Sequence, residues 1–184
     1  MDGRNKGEKI YFMRNVIFLD VDGVLNNWST KEKTPLNYTG IDDSKIAVIK
    51  EIQKMLKAEI VLSSDWKDYL SDDLTPIDKD AQYLIDKLAN FEMIISDKTT
   101  DGNNMHDLRG LGIVNYLSDH KDIDKYIIID DNKFDFEEYE ETYLHTIITM
   151  NGILTCYPLA QTMAAQETKD TVKLIKLIRR GVYM

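Results

Sequence analysis

Two aspartates, Asp20 and Asp22, stand two residues apart directly after the apolar run Asn15–Leu19, and Gly23 follows them. A second acidic pair, Asp130 and Asp131, follows the run Tyr126–Ile129, and two hydroxyls, Ser63 and Ser64, follow Ile60–Leu62. Four carboxylates drawn to one place could not all stay ionised without a cation, because like charges a few ångströms apart raise one another's pKa. Oxygen-only donors in this number suit Mg2+, which gives Asp20, Asp22, Asp130 and Asp131 as the metal set. An aspartate can also attack phosphorus and carry an aspartyl-phosphate while a metal neutralises charge on the transferring group. Asp20, at the tip of its apolar run, has the position for that nucleophile. Asp22 can lean over the same centre, protonate the leaving oxygen and later activate water. Gly23 allows a tight turn and a close backbone approach to phosphate.

These side chains meet only if the elements carrying them share one sheet. The runs at Asn15–Leu19, Ile60–Leu62, Met93–Ile95, Tyr126–Ile129 and Leu144–Ile148 are short and rich in Ile and Val, as strands buried on both faces are. Between them, Ile46, Ile49, Ile52, Met55 and Leu56 recur at helical spacing behind the cap candidates Asp43 and Ser44. Thr75 and Pro76 are expected to open a second helix carrying Tyr83, Leu84 and Leu88. A third starts near Arg109 and carries Ile113, Val114 and Leu117, and a last one runs from about Thr168 to Ile178. Alternating strands and helices predict an α/β fold, a three-layer Rossmann-like parallel sheet with helices on both faces. Such a sheet binds its ligands at the carboxyl ends of the strands, where the acids lie.

The 184 residues fit a single domain, with residues 1–12 expected to be flexible and 23–42 to form a flap. A hydrophobic share of 43% with 30% charged residues is that of a globular chain, and no apolar run is long enough to span a bilayer. One cysteine, Cys156, cannot form an internal disulfide or a cysteine metal cluster, which fits a cytoplasmic protein. The net charge of -9 disfavours broad electrostatic binding to nucleic acid, though a local basic rim could hold one end. His106, His120 and His145 share no spacing that would make a metal site.

The segment FLDVDGVLN, Phe18 to Asn26, resembles the first motif of the haloacid dehalogenase-like superfamily, hydrophobic residues followed by DxDG[TV]. In that superfamily a Ser or Thr directly after the second core strand binds phosphate, and IVLSSDW from Ile60 to Trp66 supplies Ser63, with Ser64 as the alternative. An acidic pair after a later strand is matched by YIIIDDN, Tyr126 to Asn132, which implies that Asp130 and Asp131 support Mg2+, with Asp131 the direct ligand. A Lys or Arg opening the preceding helix neutralises the phosphate and the nucleophile; Arg109 fits by position, and Lys98 is the other cation in reach. Together with SSDWK and HTIITMNGILT, these strings are similar to small bacterial and phage members of the superfamily, some fused to RNA-repair enzymes. Asp65 and Lys67 depart from the small polar residue and arginine expected at those positions.

Many relatives carry a cap domain after the first motif or between the second and third, and this chain has room for neither. An uncapped crevice admits large or extended substrates. Trp28, Trp66 and Tyr69 could stack on a base, and Lys31, Lys33 and Lys67 could hold a phosphate backbone. The implied activity is a magnesium-dependent phosphomonoesterase acting on a nucleotide or nucleic-acid end. The alternatives are a catalytically weak binding module of the same fold, or a phosphatase of sugar phosphates or phosphoproteins. A phospho-receiver domain is disfavoured, because its adjacent acid pair follows the first strand and here that pair follows the fourth.

Overall fold

In the first strand of a computed structural model of the chain, successive side chains alternate between two apolar layers, and both layers are buried. The structure describes residues 13–100, 108–132 and 135, and the backbone of 146–150 and 153–157. The elements in chain order are β1 (Arg14–Leu19), α1 (Asp43–Leu56), β2 (Ala58–Leu62), a 3-10 helix (Asp65–Tyr69), α2 (Lys79–Ala89), β3 (Ile95–Lys98), α3 (Arg109–Asp119), β4 (Ile123–Asp130), β5 (Thr146–Met150) and β6 (Ile153–Tyr157). The expected last helix from about Thr168 to Ile178, His106, His145 and residues 1–12 lie outside the described residues.

Ile17 and Leu19 of β1 pack with Ile60 and Leu62 of β2 and Ile127 and Ile129 of β4 against α1 and α2. Val16 and Phe18 face the other way, joining Val61 and Ile128 against Ile113 and Tyr116 of α3. This two-sided burial explains why the strand runs are continuously apolar instead of alternating. The strand order is β3-β2-β1-β4-β5-β6. Register aligns Ile17 with Ile60 and Ile127, and Leu19 with Leu62 and Ile129, so the strand ends of β1, β2 and β4 finish level. The chain winds from β1 outward through β2 to β3, then returns to the other side of β1 with β4. A crevice therefore opens between the carboxyl ends of β1 and β4. No inserted cap domain occurs among the described residues, and no helix among them is long and apolar enough to cross a membrane.

Several boundaries differ from the sequence-based expectation. The cap of α1 is Asp42, whose carboxylate accepts from the Ser44 N–H at 2.9 Å, instead of Asp43 or Ser44. The second helix begins at Lys79, because Asp78 accepts from the Asp80 and Ala81 N–H groups. Thr75 and Pro76 belong instead to a turn in which Thr75 bonds back to Ser71 and Pro76 pairs with Leu70. Met93 is buried in the turn after α2, its N–H donating to Leu88, and the third strand runs further on, through the polar residues Asp97 and Lys98. The sheet is not wholly parallel. β5 is parallel to β4 but antiparallel to β6, which closes that edge.

Within the expected flap over 23–42, residues 32–40 form a hairpin tied to α2. Lys33 pairs with Thr39 across it. The buried Asp80 accepts from the Thr34 hydroxyl at 2.8 Å and the Leu36 N–H at 2.9 Å. The Tyr83 hydroxyl accepts from Ile41 N–H and donates to Glu32, while Lys87 bridges Glu32 and Asp43. Gly40 runs so close to Glu32 backbone and the Tyr83 hydroxyl that a Cβ would press into both. Asp80→Ala would leave a buried hydroxyl and a backbone N–H without their acceptor, which costs about 1–3 kcal/mol. Urea unfolding of that variant should show a loss in this range, and a loss under about 0.5 kcal/mol would mean that the hairpin is not held by Asp80.

Candidate active site

The acids that follow β1 and end β4 meet at the crevice. One carboxylate oxygen each from Asp20, Asp130 and Asp131 lie within 4.8 Å of one another. Asp20 and Asp130 are buried, at 3% and 1% exposure. Asp20 is fixed at the strand tip by its N–H, which donates to Ile129 of β4 at 2.9 Å. Asp131 lies one residue beyond the strand, over Gly23. That glycine has a φ of 82°, and a Cβ there would overlap the Asp131 carboxylate. The close approach that Gly23 allows is thus to Asp131, and its own N–H donates to Asn26 Oδ1 at 2.9 Å.

Arg109 supplies the positive charge. Its Nη1 donates to Asp20 Oδ1 at 2.8 Å and Asp130 Oδ2 at 2.9 Å, and its Nη2 to Asp65 Oδ1 at 3.0 Å. Burial opposes the guanidinium charge, but Asp20 and Asp130 outweigh it and hold the arginine above its ordinary pKa. Lys98, the other candidate, turns away from the acids and donates to the carbonyls of Lys67 at 3.1 Å and Leu70 at 2.5 Å, closing the 3-10 helix.

One guanidinium does not balance the cluster. Burial first, then the adjacent Asp130, pushes the Asp20 carboxyl well above its ordinary range, against the pull of Arg109 and a hydrogen bond from Ser64. Burial raises Asp130 to about 6 even with Arg109 beside it, and raises Asp131 as well. Among the described residues, three carboxylates against one guanidinium leave an excess of negative charge. A divalent cation on hard oxygen donors would supply that balance, so the donor set fits Mg2+. Asp22 stands outside the three-carboxylate group: its Oδ1 accepts from Asn26 Nδ2 at 2.7 Å and its Oδ2 from Trp66 Nε1 at 2.8 Å.

The hydroxyls at the end of β2 divide. Ser64 caps the 3-10 helix and bonds Asp20, whereas the Ser63 Oγ is buried and has no hydrogen-bond partner among the described residues. A buried orphan hydroxyl beside an acidic crevice is a donor waiting for an acceptor. Trp66 is 7% exposed and its N–H is spent on Asp22, so the indole holds that acid instead of offering an open stacking face. Lys67 is buried at 3%, unlike a lysine presented to a phosphate backbone.

Three contributors escaped the sequence reading. Asn26, inside the first acidic motif, clamps Asp22 and Gly23 together. Asp65 takes the second nitrogen of Arg109. Asp135 reaches from beyond β4 to accept from the Gly110 N–H at 2.5 Å and the Leu111 N–H at 2.9 Å, capping a helix whose own Leu108 supplies no side-chain cap. Its only sequence signal was an aspartate four residues after Asp131, in an acidic stretch.

A family model described as the HAD domain in Swiss Army Knife RNA repair proteins matches residues 16–152. No curated protein and no solved structure matches the chain. Asp135→Ala removes both caps from the helix that carries Arg109 and should lower stability by about 1–2 kcal/mol, with Asp135→Asn recovering part of it. Chemical denaturation checks this, and equal stability of all three proteins would show that Asp135 does not anchor α3.

Proposed function

We propose that the chain, which belongs to the family of HAD domains of Swiss Army Knife RNA repair proteins, is a magnesium-dependent phosphomonoesterase that works through an aspartyl-phosphate on Asp20. The observation that carries this reading is the convergence of the buried Asp20, Asp130 and Arg109 with the half-buried Asp131 at the crevice between β1 and β4.

Asp20, Asp130 and Asp131 would hold the ion, which when bound neutralises phosphoryl charge and lets the three carboxylates stay ionised. The remaining chemistry belongs to the chain. A carboxylate oxygen of Asp20 forms a bond to phosphorus while the bond from phosphorus to the leaving oxygen breaks. Asp22, entering in its acid form, gives that oxygen a proton and becomes the carboxylate, which the N–H donors of Asn26 and Trp66 steady. Water then attacks the acyl phosphate, Asp22 takes the water proton, and phosphate leaves with Asp20 restored. Arg109 balances charge on Asp20 and the phosphoryl group, and the Ser63 hydroxyl donates to a phosphoryl oxygen.

The substrate class we favour is a nucleotide or a nucleic-acid end. Its support is the description of the family, together with a crevice that carries no inserted cap among the described residues.

Asp20→Asn and Asp22→Asn should each lower hydrolysis of a generic aryl phosphate by at least about a thousandfold while unfolding stays cooperative. Turnover of the Asp20 variant near the wild-type rate would remove the mechanism. Magnesium at a hundredfold over its Kd should raise the Tm by about 5 °C, and Asp131→Asn should cancel that rise. An unchanged Tm across a magnesium titration, with EDTA as the blank, would contradict the metal assignment.

A further inference from the structure

Asp22 and Asp65, the latter a partner of Arg109, line a cavity of about 430 Å3 that Asp20, Asp130 and Asp131 do not line. Its walls come from the tethered hairpin, through Leu36 and Tyr38, and from Tyr69, with Asp65, Asp78 and Asp80 around them. We propose that this cavity receives the leaving group of the phosphomonoester and is built for a single ring-bearing unit of nucleoside size carrying no second phosphate. The inference rests on the phosphohydrolase reading and narrows its substrate class.

Position comes first. Asp22 lines the cavity whereas Asp20, Asp130 and Asp131 do not, so the cavity meets the acidic motif at the proton donor of the proposed mechanism. The group that departs with Asp22's proton must lie against Asp22, and the cavity is a space there that can hold it. The volume falls within the range of about 300–1,000 Å3 in which small-molecule ligands are bound.

Chemistry of the walls comes second. Tyr38 is 67% and Tyr69 49% exposed, two large rings left uncovered at one opening. Aromatic faces of this kind stack on a base or another planar ring and are tolerant of its identity. Among the described residues, the charged ones of the lining are Asp22, Asp65, Asp78 and Asp80, with no Lys, Arg or His. Asp78 and Asp80 hold backbone N–H groups and Asp65 holds Arg109, and the carboxylates together make the surroundings of the space acidic. A second phosphate on the leaving group would be set against them without a counter-charge, and rejection by repulsion is as much a part of selectivity as attraction. Lys31 and Lys33 are exposed on the hairpin and do not line the cavity.

The wall is also preformed. Asp80 holds Thr34 and Leu36, so Tyr38 is presented by a hairpin anchored before any ligand arrives. A strand continuing past its terminal nucleotide would bring further phosphates to this acidic rim. Between the two substrate classes of the proposed function, the cavity therefore favours the mononucleotide.

The test uses the full chain with magnesium and substrates that share a primary alkoxide leaving oxygen. These are adenosine 5′-monophosphate, ribose 5-phosphate, adenosine 3′,5′-bisphosphate and a 5′-phosphorylated oligoadenylate. The expected kcat/KM for the mononucleotide is about tenfold above each of the others. Tyr38→Ala combined with Tyr69→Ala should bring it down to the ribose 5-phosphate value. A bisphosphate or oligoadenylate cleaved as fast as the mononucleotide overturns the proposal, as does an undiminished base preference in the double variant. Washout of oxygen-18 from inorganic phosphate reads the chemistry at Asp20 with no leaving group present. Washout without the mononucleotide preference sinks this inference alone, whereas no washout and no hydrolysis sink the phosphohydrolase reading with it.

Discussion

A guanidinium buried between two carboxylates, Arg109 with Asp20 and Asp130, is the contact on which the site depends. Removing charges from water is expensive, and such a group survives only if its partners are held in register by the rest of the fold. Here Asp20 and Asp130 are fixed by adjacent parallel strands whose pairing carries through to their tips. Arg109 is fixed by a helix that packs on the opposite side of the same sheet from α1 and α2. An arginine in the first turn of a helix is unfavourable for the helix dipole, and Leu108 offers no cap. Asp135 answers both problems by placing a carboxylate on the exposed N–H groups. A local rule is broken at the site and compensated from a distant part of the chain, as functional sites commonly require.

The parts of the fold that follow from burial were legible in the sequence. β1, β2 and β4 are buried on both faces, so each reads as an unbroken apolar run, and the acids that end those runs fall at the crevice. Arg109 was legible by its place ahead of a helical pattern, and the structure separates it from Lys98 by showing which cation reaches the acids. Boundaries set by side-chain hydrogen bonds were harder. Thr75 and Pro76 have the composition of a helix start, but Asp78 makes the cap. Met93 has the composition of a strand and packs as a turn residue, while β3 continues through polar residues near the sheet edge. The antiparallel β6 could have been suspected from the dipeptide Asn151-Gly152, which favours tight hairpins.

Long-range partners away from the strand tips were not legible. Asp80 meets Thr34 from 46 residues away and Asp65 meets Arg109 from 44. Nothing local in either segment marks the pairing. The same limit applies to Trp66, which by type alone is a stacking residue and in the fold is the donor that orients Asp22. The site thus has two parts of different origin: an acidic cluster set by strand tips, and a cavity walled in part by a hairpin pinned to α2. Fold topology determines the first, whereas side-chain contacts from separate segments shape the second.

The central claim is that Asp20 becomes covalently phosphorylated. Acid quench of the magnesium-loaded protein during turnover of a 32P-labelled aryl phosphate, followed by peptide mapping, tests it most directly. The account predicts label on the peptide bearing Asp20, stable in acid and released by hydroxylamine as an acyl phosphate must be. Label on another residue, or turnover with no protein-bound phosphate at any quench time, would contradict it.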